Sequence, residues 1–162
     1  MRKILMVCTG NTCRSPMAAA LLKKHAEQRR IAVEVDSAGL NAFENEPAST
    51  QAQTVMQDYG IDLSNHKAKR IDPQTLDQYD LVLTMAKNHK QQILNLRPDL
   101  ENKVFLIKEF AAQKMQETNI RNENMNRADS DVSDPYGQAV ATYQRTAAEL
   151  LQAIEAILDA WQ

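Results

Sequence analysis

The sequence is short of cysteine and has no long apolar run. Its 162 residues include only two cysteines, Cys8 and Cys13, so a disulfide scaffold is excluded by count. A zinc site would need two more soft ligands, and the three histidines are scattered along the chain, so we expect neither a metal nor a cofactor. No apolar stretch approaches the roughly 20 residues that span a bilayer, and the short apolar run after the basic start lacks a signal cleavage site. We therefore expect a reduced, cytoplasmic protein that does not bind a membrane.

The sequence also lacks an excess of charge of either sign. The 19 basic and 21 acidic residues leave a net charge of −2 and a pI of about 5.9. That balance does not favour nucleic acid or an anionic membrane as a partner. Hydrophobic residues make up 43%, which suits a globular protein, and 162 residues are enough for one domain with a real core. We predict a single domain over residues 1–162, while the oligomeric state stays open.

Four short runs rich in Val, Ile and Leu alternate with helical patterns. Such runs are typical of strands buried on both faces, so they predict an α/β fold with a doubly wound, parallel, four-stranded sheet and helices on both faces. The predicted strands are Lys3–Val7, Val33–Ser37, Asp80–Met85 and Lys103–Ile107. The predicted helices begin with Ser15 as N-cap before Pro16, and then cover Ser49–Tyr59, Lys87–Leu96 and the apolar stripe of Val140–Trp161.

The first predicted strand leads directly into the loop Cys8-Thr9-Gly10-Asn11-Thr12-Cys13-Arg14-Ser15. A loop between a strand and a helix turns successive backbone N–H groups inward, and the N-terminus of the helix adds positive potential. These eight residues therefore predict a phosphate-binding loop. Its position at the carboxyl end of a strand is where a parallel sheet is expected to bind ligands.

The loop also carries the groups that phosphoryl transfer requires. Cys8 is the predicted nucleophile, because inward amides, the helix N-terminus and Arg14 all favour its thiolate. The planar guanidinium of Arg14 would hold two phosphate oxygens, and Ser15 would donate its hydroxyl to the sulfur. The plainer interpretation is a loop with a capping serine and a surface arginine. The strand before the loop and the Ser-Pro pair at its end favour the functional interpretation.

A leaving group expelled by a thiolate needs a proton. The predicted donor is Asp134, because Pro135 stiffens the backbone and Gly137 permits a tight turn just before the last helix. Asp129 and Asp131 are nearby alternatives, and an Asp-Pro pair alone would be an ordinary turn.

The stretch from Ala111 to Asp134 is polar, Asn-rich and long for a connection. It predicts either a disordered loop or a mobile lid over the site.

These motifs together resemble the low molecular weight protein tyrosine phosphatase family over nearly the whole chain. The resemblance implies phosphorylated protein substrates, a phosphocysteine intermediate at Cys8, phosphate binding by Arg14, and Asp134 acting first as acid and then as base. Besides the thiol loop, it rests on residues 36–39, 66–68, 81–85 and 134–137.

The resemblance also implies a hydrogen-bonded network beneath the loop, formed by Asn11, Ser15, Ser37 and His66. On the residues alone, Asn11 is equally a turn residue in the left-handed region and His66 a solvated loop histidine.

With Thr12, the loop resembles that of the bacterial protein arginine phosphatases. Tyrosine-directed members of the family usually carry an aliphatic residue at that position. A hydroxyl on the pocket wall suits a polar guanidinium better than a phenyl ring. The resemblance therefore implies phosphoarginine as the substrate, with phosphotyrosine as the alternative, and Asp134 as a partner of the guanidinium. Phe43 and Tyr136 are expected to form pocket walls, although either could be an ordinary aromatic of the outer core.

Two features depart from the family pattern. The link between Ala111 and Asp134 looks longer than usual, and Gln138 follows Gly137 where a second glycine is common in arginine-directed members. Both bear on the lid and on substrate choice, not on the core mechanism.

Three other interpretations use the same loop. Arsenate reductases share it but need further cysteines for a disulfide relay, and a binding module without turnover should have lost the nucleophile or the acid. The third makes Cys13 a redox partner that protects Cys8 through a reversible disulfide. Against it stands the interpretation of Cys13 as a small buried residue beneath the loop.

Overall fold

The computed structural model describes residues 1–118 and 130–162, and four parallel strands form its sheet in the order β2-β1-β3-β4. This confirms the predicted α/β fold. The strands are β1 (Arg2–Cys8), β2 (Val33–Gly39), β3 (Leu81–Thr84) and β4 (Val104–Leu106). The α-helices are α1 (Arg14–Gln28), α2 (Thr50–Asp58), α3 (Lys87–Leu96), α4 (Ile107–Glu117) and α5 (Val140–Trp161), with 3₁₀ turns at Pro73–Gln78 and Pro98–Leu100.

Strand β1 lies in the middle of the sheet, and its successive side chains point alternately into the two halves of the core. Ile4 and Met6 face the layer formed by α1, α2, α4 and α5, whereas Leu5 and Val7 face the layer that contains α3. All four side chains are at most 2% exposed, as expected for a strand covered on both faces. Helices therefore cover both faces of the sheet, and none in the described residues has the length and apolarity that a membrane crossing requires.

The register of the sheet brings three strand ends together at its carboxyl edge. Cys8 at the end of β1 pairs with Gly39 at the end of β2, and Val7 pairs with Thr84 at the end of β3. Residues that follow these strands therefore surround the same edge, which is the usual ligand edge of a parallel sheet.

The predicted helix boundaries are confirmed closely at α2 and α3 but are wrong at α1. Helix α1 begins at Arg14, with Cys13 in the cap position and no side-chain cap. Ser15 is therefore inside the first turn, and its hydroxyl lies 2.8 Å from the sulfur of Cys8 instead of capping the helix.

The predicted loop from Ala111 is wrong over residues 111–117, which belong to α4, and β4 ends one residue before the expected Ile107. Phe110, Ala111 and Met115 are buried along one side of α4, and the ring of Phe110 packs against Trp161 at 6.2 Å between centroids. This tertiary packing outweighs the polar composition that suggested a loop. The remainder of that prediction, residues 119–129, lies outside the described residues, as does the alternative acid Asp129.

Candidate active site

The loop between β1 and α1 curls around the sulfur of Cys8. The N–H of Asn11 donates to Sγ at 3.3 Å, and the hydroxyl of Ser15 lies 2.8 Å from it. Asn11 adopts a left-handed backbone conformation with φ of 56°, which asparagine tolerates better than most residues. The loop can therefore close within a few residues and place the thiol at its centre.

The four residues implied as a supporting network lie together beneath this loop. The amide of Asn11 donates from Nδ2 to the hydroxyls of Ser15, at 2.8 Å, and Ser37, at 2.9 Å, and its Oδ1 accepts from the N–H of Lys69 at 3.0 Å. His66 donates from Nε2 to the carbonyl of Asn11 at 2.7 Å. Asn11 is fully buried, so these bonds satisfy both polar ends of its amide and fix the loop on β2.

Gly39 permits β2 to approach the loop this closely. A Cβ at this position would stand 2.6 Å from the carbonyl oxygen of Thr9 and 2.9 Å from the nitrogen of Asn11. The next two N–H groups, of Leu40 and Asn41, donate to the carbonyls of Cys8 at 3.0 Å and Thr9 at 2.9 Å. The end of β2 thus extends the sheet pairing into the loop.

The protonation of Cys8 is set by opposing effects. Burial raises the pKa of the Cys8 thiol, because the residue is 3% exposed and the thiolate loses its hydration there. Hydrogen bonds from Ser15 and Asn11 and the charge of Arg14 lower the pKa, but burial is the larger effect. The net direction is therefore opposite to the lowered pKa expected from the sequence.

Arg14 is buried beside Cys8 and contacts the segment that precedes α5. Its Nη1 donates to the carbonyl of Val132 at 3.1 Å, and its Nη2 lies 3.5 Å from Oδ2 of Asp134. Val132 is 2% exposed, and its N–H donates to the carbonyl of Met85 at 2.7 Å. The segment carrying Asp134 is thus packed against the loop.

The two nearby carboxylates have different surroundings. Asp134 accepts from the N–H of Tyr136 at 3.1 Å, and its side chain is 55% exposed toward the cavity above Cys8. Asp131 accepts instead from the N–H of Lys87 at 2.9 Å, at the beginning of α3. Of these two, only Asp134 lines the cavity.

The loop opens into a cavity of about 300 Å³. Phe43 and Tyr136 flank it and are each 76% exposed, so neither is part of the outer core. Thr12 lines the same cavity, together with two polar residues that the sequence analysis did not single out, Asn41 and Glu46. The lining consists of Cys8, Thr9, Gly10, Thr12, Cys13, Arg14, Asn41, Phe43, Glu46, Asp134 and Tyr136.

His89 supports the loop from α3 and was missed from the sequence. Its Nδ1 accepts from the N–H of Ala86 at 3.1 Å, so a neutral ring carries its proton on Nε2 and donates to Oγ1 of Thr9 at 2.9 Å. Burial, reinforced by the charge of Arg14, lowers the pKa of His89 to about 4. Its place just after β3, at the ligand edge of the sheet, is the signal that could have revealed it.

Cys13 is a buried free cysteine that also lines the cavity. Its Sγ lies 3.2 Å from the hydroxyl of Tyr143 and 3.7 Å from that of Ser49. Burial and this thiol raise the pKa of Tyr143 to about 12. The redox pairing of Cys13 with Cys8 stays a prediction.

Comparison with known proteins places this geometry in a family. Residues 3–162 match the family "Low molecular weight phosphotyrosine protein phosphatase". A protein-arginine-phosphatase of Geobacillus stearothermophilus is 34% identical over 99% of this chain and 96% of its own length. A probable low molecular weight protein-tyrosine-phosphatase, EpsP, of Ralstonia nicotianae is also 34% identical, over 99% of this chain and 93% of its own.

The fold agrees with the sequence comparison. The crystal structure of a low molecular weight protein tyrosine phosphatase from T. tengcongensis superposes with a TM-score of 0.85 and 38% identity, over 98% of this chain and 99% of that one. The full-length match and the thiol loop lead to one conclusion. This chain belongs to the low molecular weight phosphotyrosine protein phosphatase family and is a phosphatase.

Proposed function

We propose that the protein removes the phosphoryl group from phosphoarginine in proteins, through a phosphocysteine intermediate at Cys8. The observation that carries the proposal is the cavity itself, whose lining combines the thiol of Cys8 with the polar residues Thr12 and Asp134. Polar groups on the wall suit a substrate whose leaving group is a guanidinium. The similarity to a protein-arginine-phosphatase over nearly the full chain supports the same substrate.

In the first step, Cys8 loses its proton to solvent and its thiolate attacks phosphorus, while the bond from phosphorus to the guanidinium nitrogen breaks. The electron pair of that bond stays on nitrogen, and protonated Asp134 supplies the proton that the nitrogen needs to leave. Arg14 is placed to hold the phosphoryl oxygens through its planar fork while it lies 3.5 Å from Asp134. The guanidinium of Arg14 and the carboxyl group of Asp134 therefore act on neighbouring atoms of one substrate.

In the second step, water attacks the phosphocysteine and Asp134, now ionised, accepts a proton from that water. The phosphorus–sulfur bond breaks, inorganic phosphate is released and the sulfur departs as a thiolate. The hydroxyl of Ser15, 2.8 Å away, and the N–H of Asn11, 3.3 Å away, stabilise the departing sulfur. Ser15 can act on the sulfur because its position in the first turn of α1 places its hydroxyl within hydrogen-bond distance of Cys8.

Phosphotyrosine is the second candidate substrate. The exposed rings of Phe43 and Tyr136 beside the cavity favour it, because aromatic faces can sandwich a phenyl ring. The tyrosine phosphatases among the relatives support the same alternative.

The test compares hydrolysis of one peptide carrying phosphoarginine, phosphotyrosine or phosphoserine. We expect the largest kcat/KM with phosphoarginine, the smallest with phosphoserine, and no turnover by Cys8→Ser. Rapid quenching and mass spectrometry should detect a phosphoryl group on Cys8. A larger kcat/KM for phosphotyrosine would transfer the proposal to the second candidate, and full activity of Cys8→Ser would end both.

The two thiols bear on the location of the protein. The sulfur of Cys8, proposed as the nucleophile, reacts only in the reduced form. We infer a reducing compartment, which supports a cytoplasmic location.

A further inference from the structure

Charge is separated along the cavity above Cys8. The guanidinium of Arg14 stands beside the thiol, whereas the carboxylates of Glu46 and Asp134 belong to the same lining. Asp134 has a role in the proposed reaction. Glu46 has none, and nothing in the sequence alone singles it out.

The backbone of Glu46 is firmly held while its side chain is left without a partner. Its carbonyl accepts from the N–H of Ala68 at 2.8 Å, and its own N–H donates to the carbonyl of Phe43 at 3.3 Å. Pro47 follows and restricts the chain further. Within residues 1–118 and 130–162, the carboxylate of Glu46 forms neither a hydrogen bond nor an ion pair.

Glu44, two residues earlier, shows what a structural carboxylate in this loop does. Its Oε1 accepts from the N–H of Arg70 at 2.7 Å, and it does not line the cavity. The two glutamates are both exposed but differ in where they lie. Glu44 fastens the loop, whereas Glu46 lines the cavity and its carboxylate is unpaired among the described residues.

We propose that Glu46 is a specificity-determining residue that binds the guanidinium of phosphoarginine, an inference that rests on the function proposed above. Phosphoarginine carries a dianionic phosphoryl group next to a cationic guanidinium. The phosphoryl group belongs beside Arg14, and the remaining guanidinium N–H groups belong against a carboxylate, which they can engage in charge-assisted hydrogen bonds. An aryl phosphate has no cation to offer, so the same carboxylate gives it no benefit.

Asp134 cannot supply this charge throughout the reaction. It must be protonated, and therefore neutral, when the leaving nitrogen takes its proton. Glu46 takes no part in proton transfer, so its charge persists from binding to bond cleavage. A constant charge of this kind acts on ground state and transition state alike and is expected to lower KM rather than raise kcat.

The experiment compares Glu46→Gln with the matched control Glu44→Gln on two substrates. The first is a peptide whose only basic residue is phosphoarginine, and the second is p-nitrophenyl phosphate, an aryl phosphate. For Glu46→Gln we expect kcat/KM on the peptide to fall roughly tenfold, through KM, and activity on p-nitrophenyl phosphate to stay within about twofold of wild type. Glu44→Gln should leave both unchanged, and Glu46→Lys should deepen the loss on the peptide alone.

The outcomes separate this inference from the proposed function. If wild type hydrolyses the peptide and Glu46→Gln and Glu46→Lys do so equally well, Glu46 is not the guanidinium partner and the proposed function stands. A parallel loss on both substrates also overturns the inference, because it indicates a general defect. If wild type hydrolyses only p-nitrophenyl phosphate, the proposed function fails and takes the inference with it.

Discussion

Arg14 and Val132 are joined by a hydrogen bond of 3.1 Å from the guanidinium to the main-chain carbonyl. The same guanidinium lies 3.5 Å from Asp134. The group proposed to hold phosphate is therefore also an anchor of the segment that carries the proposed acid. Val132 is buried, and its N–H donates a hydrogen bond to the carbonyl of Met85, the residue that follows β3. The segment is therefore also attached to the end of β3.

Arg14→Lys should disturb phosphate binding and the acid segment together. Lysine keeps the charge but cannot contact the phosphoryl group, Val132 and Asp134 through one planar fork. We expect kcat to fall on the order of 10²-fold or more. Hydrogen exchange at the N–H of Val132 should become faster, as measured by NMR, because its neighbouring carbonyl loses a partner. The exposed Arg70→Lys is the control and should change neither quantity.

Asp134→Asn should remove the proton donor without changing the shape of the side chain. The expected loss in kcat on a phosphoarginine or phosphotyrosine peptide is on the order of 10²–10⁴. The loss on p-nitrophenyl phosphate should be smaller, because its leaving group departs readily without a proton. Asp131→Asn is the matched control, since Asp131 accepts from the N–H of Lys87 and does not line the cavity. Equal losses in the two variants would refute the assignment of the acid.

The position of His89 predicts a pH dependence of stability. Its pKa is lowered to about 4 in the folded protein, below the ordinary value of 6.5. Between those two values the unfolded chain binds the extra proton and the folded protein does not. The free energy of unfolding should therefore decrease as the pH falls from 6.5 to 4, by on the order of 2 kcal/mol from this residue.

Urea denaturation of wild type and His89→Gln at several pH values measures this contribution. The variant should be less stable at neutral pH, since Thr9 loses its partner, and should depend less on pH between 6.5 and 4. His25→Gln is the comparison, because burial lowers the pKa of His25 as well, but it lies on the outer side of α1. Identical pH slopes for wild type and His89→Gln would contradict the prediction.

Sequence patterns are sufficient to predict the sheet because each strand is marked by a local run of apolar residues. Ile4 to Val7 form a continuous, buried apolar run, which is typical of a strand covered on both faces. The thiol loop is recognisable for the same reason, since its spacing is contained in eight residues. Helix α4 is different: its polar residues outnumber the buried ones, and tertiary packing, including that of Phe110 against Trp161, decides its conformation.

Some contacts of the site form only in the folded chain and could not be predicted from the spacing of residues in the sequence. Ser15 is a serine followed by proline, as at many N-caps, yet its hydroxyl forms a hydrogen bond with the sulfur of Cys8 instead of capping the helix. His89 and Glu46 lie 81 and 38 positions after Cys8 in the chain, and only the folded chain brings His89 against Thr9 of the loop and Glu46 to the lining of the cavity. The raised pKa of Cys8 likewise arises from burial, which spacing does not report.

Ser15→Ala should raise the pKa of Cys8 above its wild-type value. The hydroxyl of Ser15 is the largest effect that opposes burial, so its loss leaves the thiolate less stabilised. The measurement is the pH dependence of alkylation at Cys8, followed by peptide mass spectrometry so that Cys13 is counted separately. The exposed Ser64→Ala serves as control. An unchanged alkylation midpoint in Ser15→Ala would show that the hydroxyl does not act on the sulfur.

Thr12→Ile should shift substrate preference from phosphoarginine toward phosphotyrosine. Thr12 lines the cavity, and its backbone is held by a 3.0 Å hydrogen bond from the N–H of Ser49 to its carbonyl. Isoleucine keeps the branched shape at Cβ but replaces the hydroxyl with an apolar surface that suits a phenyl ring and leaves a guanidinium without a partner. We expect the ratio of the two kcat/KM values to change by roughly tenfold, the usual effect of one altered wall contact.

The control for Thr12→Ile is Thr54→Ile on the exposed side of α2, which should leave the ratio unchanged. Both variants are assayed on one peptide sequence phosphorylated on arginine or on tyrosine, so that flanking contacts cancel in the ratio. If both activities fall equally, isoleucine has damaged the loop rather than the wall. If the ratio stays constant at full activity, Thr12 does not discriminate, and the separation of charge between Arg14 and Glu46 becomes the main source of substrate preference.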